Sequence, residues 1–393
     1  MTTIFGNPGS TELPFLRDMP ADFRYVLGLH ERSAAGMGLG YALGTRHAAF
    51  VNLHSIASVG NGLSSLVDAQ LMHAPLVVTT GQQDRRHLLQ EPFLVSRAVE
   101  VAKPYVKWAC EPLRAEDVPA ALARGYYLAT LPPMGPVFIS IPMDDWMHEA
   151  PNVVARSISP MGSPDPSALE EVVRALDASR KSAIVAGPQI EEDAAYSEVV
   201  SLAEHLRADV YQSPISPRWT FPRSHPQFRG SLLPAQRPLA GQLAAYDVVV
   251  VLGAPVFLYY AYLPGNTVPE GTRLFQITNS PDTAAAALAG ASLVGNIAAA
   301  ARYLCSHAQP GKGQAPAAPK AAAPAGSYPI TPGYLFSVLN QVLPRNAIVC
   351  EECPSSKGDL DRQIVLDAPY SFYSVPNGVL GFGLPAAVGL QLA

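Results

Sequence analysis

Charged residues and cysteines are scarce in this 393-residue chain, and both shortages narrow what the protein can do. Only 15% of the residues are charged, the formal net charge is −5, and no run of basic residues occurs. Because nucleic acids attract basic surfaces, this composition argues against a nucleic-acid partner. The four cysteines include one Cys-x-x-Cys pair, Cys350 and Cys353, without the further ligands that a zinc site needs. We therefore expect incidental, reduced thiols and a cytoplasmic protein.

Long apolar runs are also missing. The two most apolar stretches, residues 248–263 and 284–302, are broken by glycine and proline or consist mostly of alanine. We therefore expect core elements there rather than membrane spans. No basic segment followed by a long apolar run marks a signal peptide. No Gly-x-Gly-x-x-Gly with an acidic partner occurs, so a dinucleotide cofactor is not supported.

Apolar strand-like segments alternate with helical segments, which predicts an α/β fold of doubly wound parallel sheets. We expect three such domains, at residues 1–155, 165–308 and 328–393, the last one incomplete. Residues 309–327 are rich in Ala, Pro, Gly and Lys and are predicted to be a linker. Predicted strands begin at Ile4 and cover residues 23–29 (buried), 48–53, 75–81, 135–142, 182–188, 247–255 and 273–278, and a helix is expected to open at Gly60-Asn-Gly62.

Small residues follow Glu31 at helical spacing. Glycine weakens a helix unless close approach of a neighbour requires it, so a helix this rich in glycine is predicted to pack tightly against another element. The residues concerned are Ala34, Ala35, Gly36, Gly38, Gly40 and Ala42.

Three polar residues, Ser10, Glu31 and His54, each follow a different predicted strand. Ligands bind at the carboxyl edge of open α/β sheets, so these side chains can converge on one cleft. A carboxylate between an apolar strand and a tightly packed helix is poorly solvated, and we expect the pKa of Glu31 to be raised. Simpler interpretations stay open: a solvated loop glutamate beside Arg32, a structural histidine, and a plain turn in which Ser10 caps the next helix.

Several motifs, in this order along the chain, resemble thiamine-diphosphate-dependent decarboxylases. The similarity covers almost the whole chain. It is carried by Asn7-Pro-Gly-Ser10, His30-Glu31, Asn52-Leu-His-Ser55, Phe221-Pro-Arg-Ser-His-Pro-Gln-Phe-Arg-Gly230, Gly253-Ala-Pro-Val-Phe257 and Gly378-Val-Leu-Gly-Phe-Gly-Leu-Pro-Ala-Ala.

The resemblance implies pyrimidine-binding, central and diphosphate-binding domains, thiamine diphosphate and Mg²⁺ as cofactors, and sites between subunits of a homotetramer. It implies that Glu31 hydrogen-bonds the aminopyrimidine ring, that Ser10 contacts the substrate carboxylate and that His54 shuttles protons. The implied reaction is decarboxylation of a small 2-oxo acid, with an aromatic one preferred. Further implied cofactor contacts are Asn7, Pro8, Gly9, Ser355, Gly378 and Leu380.

The chain departs from the family pattern at three places. Relatives acting on aromatic substrates carry a second active-site histidine where this chain has Tyr260, and a phenol with a reference pKa near 10 is a poor proton shuttle at neutral pH. Pro354 replaces a polar residue. The Gly-Asp-Gly motif that helps to hold Mg²⁺ and the diphosphate does not occur in the 393 residues. We therefore expect a chain shortened at both ends, whose own activity is in question.

Two alternatives stay open. A carboligating relative of the acetolactate synthase type is one, and flavin absorbance in the purified protein would favour it. A non-catalytic fragment that only binds ligands or partner chains is the other.

Overall fold

The computed structural model describes residues 1–95, 97–159, 161–312, 324–326 and 328–393. Contacts within the chain define two compact units: one comprises residues 1–159 with Val375–Ala393, the other Met161–Ser374. Of the predicted linker, residues 313–323 and 327 lie outside the described residues. The predicted division into three cofactor-related domains stays a prediction.

The first unit is built on a six-stranded parallel sheet of order β2-β1-β3-β4-β6-β5. Its strands are β1 Thr3–Gly6, β2 Arg24–Leu27, β3 Ala49–Leu53, β4 Leu76–Gln82, β5 Trp108–Cys110 and β6 Val137–Pro142. Its helices are α1 Leu13–Arg17, α2 Glu31–Thr45, α3 Ser55–Leu71, α4 Ala98–Ala102 and α5 Val118–Thr130. Short 3₁₀ turns lie at Arg85–Gln90, Lys103–Tyr105, Ala115–Asp117 and Met143–Met147.

Two local predictions for this unit are wrong. The strand predicted over residues 23–29 to be buried is the edge strand β2, where Leu27 is 57% exposed, because only one neighbour covers it. The helix predicted to open at Gly60 begins at Ser55, directly after His54, so Gly60 and Gly62 lie inside α3.

The second unit contains another six-stranded parallel sheet, of order β12-β11-β10-β7-β8-β9. The expectation of an α/β fold with doubly wound parallel sheets is therefore confirmed. The strands are β7 Ser182–Ala186, β8 Asp209–Gln212, β9 Phe228–Ser231, β10 Val248–Leu252, β11 Arg273–Thr278 and β12 Ala291–Val294. The helices are α6 Pro166–Ala178, α7 Gln189–Glu192, α8 Tyr196–Leu206, α9 Gln236–Leu243, α10 Pro281–Ala285 and α11 Ile297–His307.

Residues after the predicted linker add a small pair of parallel strands to the second unit. Trp219 stacks on Phe372 with 3.8 Å between ring centroids, which places this pair against the larger sheet's loops. Its elements are α12 Pro332–Val342, β13 Val349–Glu351, a 3₁₀ turn Pro354–Ser356, α13 Lys357–Gln363 and β14 Phe372–Ser374. Within the described residues, no helix has the length and apolar character to cross a membrane.

The last helix, α14 Gly383–Leu392, packs on α2 in the first unit. The glycine-rich face of α2 makes this approach possible, as predicted from its small residues. A Cβ built on Gly40 would lie 2.1 Å from the carbonyl oxygen of Ala386.

Substituting Gly40 tests this packing. We expect Gly40→Ala to lower the free energy of unfolding by about 1–3 kcal/mol, because the added methyl group forces the two helix backbones apart. Gly60→Ala is the matched control, since no atom lies within 4 Å of a Cβ built there; helix propensity predicts a gain of up to about 1 kcal/mol for it. Urea unfolding measures both, and equal effects would contradict the role of Gly40.

Candidate active site

The topology brings the predicted site residues of the first unit to one edge of its sheet. Strands β2, β1 and β3 are neighbours and parallel, so their carboxyl ends lie side by side. Asn7 follows β1, Glu31 begins α2 shortly after β2, and His54 follows β3 directly. Of the predicted convergence of Ser10, Glu31 and His54 on one cleft, the topology places Glu31 and His54 at the same edge of the sheet.

Glu31 is buried, with 8% of its surface exposed, and its carboxylate is surrounded by hydrogen-bond donors. Oε1 accepts from Asn7 Nδ2 at 3.0 Å and from Ser58 Oγ at 2.9 Å, and Oε2 accepts from Asn61 Nδ2 at 2.9 Å. The interpretation of Glu31 as a solvated loop residue is therefore wrong.

The expected rise in the pKa of Glu31 is also wrong. Burial does push this pKa upward, but the hydrogen bonds from Asn61, Ser58 and Asn7 and from backbone lower it by more, so the net shift is downward. These donors favour the charged form, because an ionised carboxylate accepts hydrogen bonds more strongly than a neutral acid. The site therefore holds an anion.

A titration checks this anion. We expect the Glu31 carboxyl carbon, observed by ¹³C NMR and assigned with Glu31→Gln, to titrate below the usual glutamate range near 4.3. Because the folded-state pKa is depressed, the stability that Glu31 contributes is present above the unfolded-state value and is lost as pH falls through the folded one. Titration above the usual range would mean that burial dominates and would contradict this assignment.

His54 pairs with the buried Glu12. His54 Nδ1 lies 2.8 Å from Glu12 Oε2, and Glu12 is only 1% exposed. Thr11 Oγ1 donates to Glu12 Oε1 at 2.6 Å and the Gly9 amide donates to Oε2 at 2.9 Å. A carboxylate can only accept, so Nδ1 of the imidazole carries a proton and Nε2 is left to exchange one elsewhere.

The Asn7-Pro8-Gly9 loop fits closely against this pair. A Cβ on Gly9 would lie 2.4 Å from the His54 ring, so only glycine allows the backbone this close. Ser10 follows the loop and is exposed. The expectation that Ser10 caps the next helix is wrong: Glu12 occupies the N-cap position of α1, without a side-chain capping bond.

The remaining predicted site residues are distributed over both units. Tyr260 lies in the second unit, where its side chain is 89% exposed. Ser355 lies in the 3₁₀ turn of that unit and is also exposed. Gly378, with φ of +73°, and Leu380, 63% exposed, belong to the first unit, in the turn before α14.

The residues of the first unit fit the pyrimidine end of thiamine diphosphate. A buried, ionised carboxylate is the hydrogen-bond acceptor that a protonated ring nitrogen requires, and it accepts from Asn7 of the adjoining glycine loop. The diphosphate end of the cofactor would need a metal site. Among the described residues, no group of three or more His, Cys, Asp or Glu side chains could hold a metal ion. A cluster of that kind for Mg²⁺ is thus not present among these residues.

Sequence reasoning missed Glu12, Ser58 and Asn61. Ser58 and Asn61 are three residues apart, a spacing that places both on one face of a helix. That signal could be used only with the true start of α3 at Ser55. Glu12 lies two residues after the Asn7-Pro-Gly-Ser10 motif. Its pairing with His54 depends on the neighbouring positions of β1 and β3 in the sheet.

Comparison with known proteins agrees with this geometry. Residues 1–97 match the N-terminal TPP binding domain of thiamine pyrophosphate enzymes, and residues 169–304 match their central domain. Benzoylformate decarboxylase of Pseudomonas aeruginosa is 42% identical over 401 residues, which cover 100% of this chain and 76% of the relative. Acetolactate synthases match more distantly, at 23% identity for that of Mycobacterium bovis.

Solved structures give the same result. The crystal structure of benzoylformate decarboxylase from Polynucleobacter necessarius matches with a TM-score of 0.97 and 37% identity, over 100% of this chain and 75% of that one. The thiamine diphosphate-dependent 4-hydroxybenzoylformate decarboxylase of Rhodococcus jostii RHA1 matches with a TM-score of 0.96 and 40% identity, over 100% and 76%. The chain therefore belongs to the thiamine pyrophosphate enzymes and, among them, to the benzoylformate decarboxylase family of decarboxylases.

Proposed function

We propose that this protein decarboxylates an aromatic 2-oxo acid, benzoylformate or a ring-substituted form of it, with thiamine diphosphate as cofactor. One observation carries the proposal: the buried Glu31 anion and the Glu12–His54 pair lie on the same edge of one sheet. The net reaction converts the 2-oxo acid anion and one proton into an aldehyde and carbon dioxide. It therefore needs an acceptor for ring protons and a group that returns a proton to the product.

Residues of this chain meet both needs. Glu31 would accept a hydrogen bond from the aminopyrimidine ring of the cofactor, which would lie beside the backbone of Asn7, Pro8 and Gly9. The Ser10 hydroxyl donates a hydrogen bond to the substrate carboxylate. Ser10 is exposed and therefore accessible to a ligand. His54, oriented by Glu12 through Nδ1, holds and moves a proton at Nε2. Bound thiamine diphosphate supplies the electron sink for the breaking carbon–carbon bond.

Other properties follow from the family resemblance. We propose that Mg²⁺ accompanies the diphosphate, that Ser355, Gly378 and Leu380 contact the cofactor, and that the active assembly is a homotetramer. A cytoplasmic location is consistent with four free cysteines, because thiols stay reduced in that compartment. Light scattering tests the assembly: a mass of four chains supports it, and a monomer at micromolar concentration contradicts it.

Substrate loss tests the function directly. The protein is mixed with thiamine diphosphate and Mg²⁺ and given benzoylformate, 4-hydroxybenzoylformate or pyruvate. We expect the aromatic acids to be consumed with a higher kcat/KM than pyruvate and carbon dioxide to be released. Condensation of two pyruvate molecules, together with flavin absorbance in the purified protein, would favour an acetolactate synthase-like carboligase. No turnover and no bound cofactor would identify a non-catalytic binding module.

A second test concerns the role of Tyr260, which occupies the position where relatives carry a histidine. We expect Tyr260→Phe to lower kcat/KM about tenfold, the loss of one hydrogen bond of about 1.4 kcal/mol. Tyr262→Phe, also on an exposed tyrosine of the same loop, is the control and should change nothing. Unchanged turnover in Tyr260→Phe would show that the hydroxyl is dispensable.

A further inference from the structure

Arg32 follows Glu31 on α2, and its guanidinium group joins three segments of the first unit. Nη2 donates to the carbonyl oxygen of Val379 at 3.0 Å and lies 3.5 Å from Oδ2 of Asp68 on α3. Nη1 donates to the hydroxyl of Ser64, also on α3. The planar fork of arginine suits such divergent acceptors, whereas a lysine ammonium group cannot reach all of them in fixed directions.

Burial makes this ion pair costly to break from one side. The Arg32 side chain is 15% exposed and that of Asp68 only 1%, so the ion pair is largely removed from water. Removing one partner of such a pair is costly, because the other charge stays buried without compensation. The contacts with α3 therefore fix the Arg32 guanidinium group, and the same group contacts the turn that precedes α14.

The turn at residues 378–381 is shaped around this guanidinium group. Gly381 has φ of +105°, and a Cβ built on it would lie 2.6 Å from Arg32 Nε, so a side chain at this position would displace the arginine. Within the turn, the Val379 amide donates to Asn377 Oδ1 at 2.8 Å. Val379 and Leu380 are 45% and 63% exposed, so apolar packing holds the turn only weakly.

We propose that Arg32 is a positioning residue that fixes the 378–381 turn relative to the start of α2, where Glu31 lies. The inference rests on the proposed function, since that turn carries Gly378 and Leu380, two of the proposed cofactor contacts. One residue separates the carboxylate that faces the pyrimidine from the arginine that holds the turn. Arg32 thus ties a proposed cofactor-binding turn to the helix that begins with Glu31 in the same chain.

Hydrogen exchange measured by mass spectrometry tests the positioning without any cofactor. In Arg32→Lys and Arg32→Met, we expect amides of residues 378–382 to exchange at least tenfold faster than in the unmodified protein. Amides of β4 should not change. The double variant Arg32→Met with Asp68→Asn removes the buried carboxylate charge, so that it folds even where Arg32→Met alone does not; its turn should exchange as fast as that of Arg32→Lys.

Cofactor binding supplies the second measurement. Calorimetric titration with thiamine diphosphate and Mg²⁺ should show at least tenfold weaker binding in Arg32→Lys. Unchanged exchange at residues 378–382 would overturn the inference, as would equal acceleration throughout the first unit, which indicates a purely structural role. If the unmodified protein binds no thiamine diphosphate, the proposed function fails, and the exchange data still decide the role of Arg32.

Discussion

Glu31→Gln is expected to lower benzoylformate turnover by roughly 10²–10⁴-fold, the range for loss of a positioned acid–base group. The amide keeps the size of the side chain but not its charge, and its NH₂ group faces donors already aimed at the carboxylate. Those donors are Asn7, Ser58 and Asn61. Steady-state kinetics with saturating thiamine diphosphate and Mg²⁺ measure the loss.

Glu100→Gln is the matched control, because Glu100 is an exposed acid on α4 of the same unit. It should retain full turnover. A Glu31→Gln protein that folds normally and keeps full activity would remove Glu31 from the catalytic machinery.

Glu12→Gln has the second-largest expected effect, a fall in kcat of roughly 10–100-fold. The carboxylate of Glu12 accepts from Gly9, Thr11 and, through Oε2, from the Nδ1–H of His54. An amide has only one oxygen, so its NH₂ group must face one of these donors, and the imidazole loses its fixed tautomer. KM should change less than kcat, because Glu12 acts on substrate only through His54.

¹⁵N NMR of the His54 ring separates this orienting role from a loss of stability. The protein should show one dominant tautomer with the proton on Nδ1, and Glu12→Gln should show a mixture. Retention of the same single tautomer, with a reduced rate, would contradict the orienting role of Glu12.

The alternation of apolar strand-like and helical segments along the sequence predicts most of the fold. Strand β11 was predicted at its observed limits, Arg273–Thr278, because a short run of apolar and β-branched residues bounded by polar ones is a strong local signal. The exposure of β2 was not predictable in this way. Whether a strand lies at the edge or in the centre depends on which strands pair with it, and local sequence does not contain that information.

The candidate site was predicted in part for the same reason. His54 follows β3 directly and Glu31 lies shortly after β2, so the parallel topology alone brings them to one edge. The sign of the Glu31 pKa shift depends on Ser58 and Asn61, which reach the carboxylate only because α3 begins at Ser55. Burial could be inferred from the apolar surroundings, but the number of donors required the three-dimensional structure.

Calorimetric titration of thiamine diphosphate and Mg²⁺ into the protein and into Glu31→Gln tests the central claim most directly. That claim is that a buried anion on the sheet edge receives the cofactor's pyrimidine ring. The account predicts binding by the protein and at least tenfold weaker binding by the variant, with Glu100→Gln unchanged. Equal affinity for the protein and for Glu31→Gln would contradict it.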